Sequence, residues 1–148
     1  MKAECFMEAN PEAQRVAAEW VAKAENDLRT AALTLRAEGQ RPTDTICFHA
    51  QQCIEKYLKA LLVLNGSPFP RTHDLTSICA LLPDAWRPDV PPAVLERFTD
   101  YATVTRYPGD YTEIPVVEAR AALATARKIR KAARAILPTS AKRAPRRH

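Results

Sequence analysis

The sequence is short of almost everything that marks a familiar catalytic or export function. It has three glycines, Gly39, Gly66 and Gly109, too few and too scattered for a glycine-rich phosphate loop. No apolar run approaches the ~18 residues of a membrane-spanning helix; the longest is Ala60 to Leu64. A secretory leader is not expected, because Glu4, Glu8 and Glu12 interrupt the first dozen residues. The four cysteines, Cys5, Cys47, Cys53 and Cys79, form no C-x-x-C pair, and three histidines are too few to suggest a zinc cluster. On a helix, Cys47 and Cys53 point about 240° apart, so these cysteines read as small core residues. No Ser/His/Asp constellation is visible, and no metal is expected. A soluble cytoplasmic protein is the expectation.

Charge is also scarcer than it first looks. Four of the five net positive charges lie in the last eleven residues, on Lys142, Arg143, Arg146 and Arg147. The segment 138–148 is therefore expected to be a disordered basic tail, and residues 1–10 a flexible N-terminus. The remaining body shows no basic excess suited to a nucleic-acid duplex. Truncation after Leu137 is expected to leave folding nearly unchanged.

What the chain does contain is helical periodicity between proline and glycine breaks, with no alternating segment. A first helix is expected from Pro11 to Ala37, capped by Asn10, with Val16, Trp20, Ala24, Leu28, Ala31 and Leu35 as its apolar stripe. A second runs from Asp44 to Leu64, capped by Thr43 and stopped by Asn65-Gly66. It is apolar on most sides, with one polar stripe of His49, Gln52, Lys56 and Lys59. A short third helix follows Arg71-Thr72-His73-Asp74, with Leu75, Ile78, Leu81 and Leu82 facing inward. A fourth covers Ala93 to Thr105 and a fifth Pro115 to Ile136. The expected fold is all-α: an antiparallel bundle of about five helices, four main and one short, over residues 11–137.

Four segments carry a family resemblance. They are Ala24-Glu25-Asn26-Asp27-Leu28-Arg29-Thr30-Ala31, His49 to Leu62 (H-A-Q-Q-C-I-E-K-Y-L-K-A-L-L), Thr72-His73-Asp74-Leu75, and Arg106-Tyr107-Pro108. In this order and spacing the chain resembles the HEPN domain family over residues 14–137. The resemblance implies a compact helical domain, homodimeric, of the kind that works beside a minimal nucleotidyltransferase as the toxin or partner half of a toxin–antitoxin pair. It implies a bound nucleotide as ligand and no required cofactor. It also implies an alternative, a metal-independent ribonuclease acting on RNA. Ribonuclease branches of the family place a histidine a few residues after an arginine. Here Arg106 is followed by Tyr107-Pro108-Gly109-Asp110-Tyr111-Thr112-Glu113, with Tyr111 where the nearest histidine would stand. A phenol with an ordinary pKa near 10 replaces imidazole poorly in proton transfer. A non-catalytic binding module is therefore the main expectation, and the ribonuclease alternative would need Arg106 with His73 or His49.

Each candidate has two readings. His73, beside Arg71 at a helix start, is a phosphate ligand or a residue that orients the loop while Thr72 or Asp74 caps the helix. The stripe His49, Gln52, Lys56, Lys59 is a nucleotide or partner contact, or a solvated face with a Glu55–Lys59 pair. Arg106, Tyr107, Asp110 and Tyr111 clamp a nucleotide or pin their own loop. For a homodimer the expected anchors are Trp20, Tyr57, Phe98 and Tyr101, some of which must instead be core.

Overall fold

The computed structural model describes residues 10–103 and 113–142; their regular structure is helical, with no strand among them. Helix α1 spans Pro11–Arg36, α2 Thr43–Leu64, α3 Leu75–Ala80, α4 Pro92–Ala102, α5 Val116–Ile136 and α6 Thr139–Lys142; a single 3-10 turn occupies Asp84–Trp86. The expected all-α bundle is what the chain forms. The candidates Arg106, Tyr107, Asp110 and Tyr111, and the thiol of Cys5, lie outside the described residues.

Helix α1 begins where its sequence dictates: the Asn10 side chain accepts a hydrogen bond of 2.7 Å from the Ala13 N–H, and Pro11 fills the first helical position. Its inner face is rich in small residues, Ala17, Ala24 and Ala31 beside Val21 and Leu35, and α1 packs most extensively against α2. Val16, Trp20 and Leu28, expected on the stripe, sit at its half-buried edge. Helix α2 is the axis of the bundle. Ile46, Ala50, Cys53, Ile54, Tyr57, Leu58 and Leu62 are fully enclosed, because α1, α4 and α5 pack around it and α3 closes one end. Gly66, at φ +68°, turns the chain just beyond α2 in a conformation that L-side chains seldom adopt.

Four expectations need correction. Helix α2 starts one residue early, since the Ile46 N–H bonds the Pro42 carbonyl; Thr43 is therefore inside the helix, not its cap, and its buried hydroxyl has no partner among the described residues. Leu81 does not face inward: α3 ends at Ala80 and leaves it 41% exposed. Tyr57 and Phe98 cannot anchor a dimer, because the bundle itself encloses both. Finally, the tail is not wholly free of the body. Pro138 does end α5, but Thr139–Lys142 form a helical turn against α1, with Ala141 fully buried and Ser140 Oγ donating to Gln14 Oε1 at 2.6 Å. Sequence periodicity missed this because a four-residue turn has no measurable period.

That turn changes what truncation should do. Removing residues 138–148 uncovers Leu137 and the α1 surface under Ala141, an apolar loss of about 1–2 kcal/mol. Thermal unfolding followed by circular dichroism should show the melting temperature falling by several degrees, whereas an unchanged value would mean that α6 contributes nothing to stability.

The three described cysteines, Cys47, Cys53 and Cys79, are free thiols in the core, as their reading as small apolar residues required. No helix among the described residues is long and apolar enough to cross a membrane.

Candidate functional site

The polar stripe of α2 lies along the edge of the α1–α2 interface, and each of its cations is met by a carboxylate. From α1, Asp27 reaches across with both oxygens. Oδ1 lies 2.7 Å from His49 Nδ1, and Oδ2 accepts from Lys56 Nζ. Asp27 is almost buried, so these two groups are its solvation. Its position follows from α1 itself: it sits three residues from Ala24 and four from Ala31 on the packed face.

A second carboxylate, Glu55, organises the other half. Glu55 Oε2 accepts from Lys59 Nζ at 3.0 Å; Oε1 accepts from Gln51 Nε2 at 3.1 Å and lies 2.8 Å from His73 Nδ1. Gln51 also donates to the His73 carbonyl and accepts from Gln52, so the loop before α3 is stitched to α2 at two points. Lys59 ends between two rings, 5.5 Å from the centroid of Trp20 and 5.8 Å from that of Phe69, an arrangement that favours its positive charge. Burial works against the charged form of Glu55. The hydrogen bonds from Gln51, His73 and Lys59 outweigh it and hold the carboxyl below its ordinary value.

In both imidazoles Nδ1 is the nitrogen that meets the carboxylate, and a ring N–H there donates to an ionised carboxylate, which directs Nε2 away from it. The His73 side chain is 64% exposed and that of His49 26%, so both rings reach the surface.

A third cluster ties α5 into the same structure. Glu25 accepts from Arg130 Nε at 2.6 Å and from the Tyr57 hydroxyl, and Arg134 lies 3.6 Å away while donating to the Tyr57 oxygen at 3.3 Å. Burial raises the Tyr57 phenol, and its bond to Glu25 raises it further; Glu25 itself is burdened by burial but held low by Arg130 and Tyr57.

These groups differ from the sequence expectation in instructive ways. His49, Gln52, Lys56, Lys59 and His73 do come together along one edge. Lys56 and Lys59 are not a bank of free cations for a phosphate, however, because Asp27 and Glu55 occupy them. The Glu55–Lys59 pair is real but is not solvated: its side chains are 4% and 9% exposed. At the start of α3, Asp74 is the cap, accepting from Thr76 N at 3.0 Å, so its own carboxylate takes the helix-end donors that a phosphate would need. Thr72 Oγ1 accepts from the Asp74 N–H at 3.1 Å. Arg71 is exposed and has no hydrogen-bond or ion-pair partner among the described residues. Sequence reasoning missed Glu25, Asp27 and Gln51 as members of this site. The available signal was an acid on the apolar stripe of α1.

The two carboxyls predict the acid behaviour of the protein. Glu25 and Glu55 are both held below the ordinary value of 4.5 in the folded state. The stability they contribute is therefore present above about pH 4.5 and is lost as pH falls through their folded values. The melting temperature should decline below about pH 4.5, with a shallower decline in the E25Q/E55Q double variant. A wild-type protein melting equally at about pH 3 and pH 7 would exclude this linkage.

Among the described residues no group of histidines, cysteines and acids is arranged to hold a metal. The model of the HEPN domain family matches residues 17–137. A protein of Methanocaldococcus jannaschii named "Putative toxin MJ1304" is 29% identical over 100 residues, covering 62% of this chain and 63% of its own length. The crystal structure of TT1696 from Thermus thermophilus superimposes with a TM-score of 0.64 at 30% identity, over 82% of this chain and 98% of that one. The family match spans all of α2 with its polar stripe, and both carboxylates that organise it, Asp27 and Glu55, fall inside it. This chain belongs to the HEPN domain family.

Proposed function

We propose that the chain is the toxin-like half of a two-component pair and works as a non-catalytic helical binding module. Its partner is a minimal nucleotidyltransferase-type protein, met on the α1–α2 edge at His49, Gln52, Lys56 and His73. The observation that carries this reading is the pre-ordering of that edge. Asp27 and Glu55 hold both imidazoles and both ammonium groups in place before any partner arrives, so docking costs little side-chain entropy. The curated relative named as a toxin supports the toxin-like part of the reading, and the match spans 63% of that relative's length. A nucleotide phosphate beside His73 and Arg71, which has no partner among the described residues, is the finer proposal, and a homodimer is its expected assembly.

The test is co-purification of the tagged full chain from its native host, followed by mass spectrometry of proteins and retained small molecules. Recovery of a nucleotidyltransferase with wild type, and its loss with Q52K, supports the reading. Equal recovery with Q52K removes this edge as the contact.

One observation favours a second reading, ribonuclease activity. Both His49 and His73 are backed by carboxylates through Nδ1, the arrangement that readies Nε2 for proton transfer. Incubating the protein with total RNA in EDTA distinguishes the readings. Cleavage abolished by H49A or H73A would replace the binding module with an enzyme.

A further inference from the structure

On the opposite side of α1 from Asp27 lies an open groove of about 650 Å³ between α1, α5 and α6. Four cationic side chains line it: Arg29 and Arg36 from α1, Arg127 from α5 and Lys142 from α6. None of the four has an ion-pair or hydrogen-bond partner among the described residues. That sets them apart from Arg15, Lys56, Lys59, Arg97 and Arg130, each of which holds a carboxylate. The one acid in the wall, Glu25, is already neutralised by Arg130 and Arg134. The nearly balanced body charge gave no basic excess suited to a nucleic-acid duplex, yet the fold brings these four cations together along one groove.

The geometry points to a phosphate-backbone binding site for a single-stranded nucleic acid in this groove, separate from the α1–α2 edge. Arg29 and Arg36 are seven residues apart, which places them on one line of α1 about 10.5 Å from each other. Arg127 from α5 and Lys142 from α6 line the same groove. Three of the four cations are guanidiniums, whose planar forks suit phosphate oxygens. The floor includes Ala22 and Ala32, side chains short enough to let a backbone come close. No aromatic side chain lines the groove, so bases have nothing to stack on and the site reads charge and spacing, not sequence. The site does not rest on the proposed partner contact, since it uses none of the same residues.

The experiment measures binding of fluorescein-labelled oligouridylate to the full chain by polarisation, as a function of salt. The R29Q/R36Q/R127Q variant should bind at least tenfold more weakly at about 50 mM salt, and its log K against log salt slope should flatten by about 2, at ~0.7 per lost phosphate contact. The control variant R15Q/K23Q/K128Q removes the same number of charges elsewhere and should bind within threefold of wild type. Both variants keep Arg143, Arg146 and Arg147, so the basic end of the chain is common to every comparison, and circular dichroism melting checks that each is folded. Failure of wild type to bind, equal loss in the two variants, or no loss in the first would each overturn the proposal. Equally tight, groove-dependent binding of an oligoglutamate peptide would overturn it too, by making the occupant an acidic protein.

Discussion

Replacing Glu55 by alanine should destabilise the protein by about 3–5 kcal/mol, the cost of stranding a buried charge after its partner is removed. Lys59 is nearly inaccessible in the folded state, and Glu55 is its only ion-pair partner among the described residues. Without that carboxylate the ammonium must either lose its proton or drag water into the α1–α2 interface. Gln51 and the His73 ring lose an acceptor at the same time. At this chain length the melting temperature should fall by roughly 10 °C. The double variant E55Q/K59M separates charge from shape, because it removes both ions together and should recover most of the loss. Equal destabilisation in the single and double variants would show that packing, not the stranded charge, sets the effect.

Ile54→Ala should cost about 2–5 kcal/mol, by lost burial and by the cavity it leaves. Ile54 is completely enclosed on the helix that all the main helices surround, so the site has little freedom to collapse. Leu33→Ala provides the contrast: Leu33 is 58% exposed on α1, and its truncation should change stability by less than about 0.5 kcal/mol. Denaturant midpoints of the two variants, measured at equal m-value, compare them directly. Similar midpoints would mean that α2 is not the mechanical axis the packing describes.

How much of this could be seen in the chain beforehand differs between fold and site. The helices were legible because Ala24, Ala31 and Leu35, or Ile46, Cys53 and Leu61, repeat at a period that only a helix satisfies. The cations of the site were legible for the same reason, as polar interruptions at helical spacing on an apolar element. Their anions were not. Asp27 is 22 residues from His49 and 29 from Lys56, and periodicity within a helix carries no information about the register between two helices. Glu55 was visible as a neighbour of Lys59, but the rings that lie against Lys59, Trp20 and Phe69, are brought in from elsewhere in the chain. The sign of the whole edge therefore changed from basic to balanced once the helices were docked. The groove behind α1 was hidden for the converse reason: Arg29, Arg127 and Lys142 are meaningless in sequence and acquire a shared field only through packing.

The three thiols in the core have a practical consequence. Burial pushes Cys47 and Cys53 up to about 12 and Cys79 up to about 11, so at neutral pH the folded molecule offers almost no thiolate to an alkylating reagent at these positions. Labelling of them then proceeds only through molecules that have opened, and its rate is a clock for that opening. Two of the clocks sit on α2 and the third on the short helix α3, which is held by far less of the bundle. Cys79 reacting ahead of the other two would time the detachment of α3 alone, while all three reacting together would time the dissolution of the bundle as one unit.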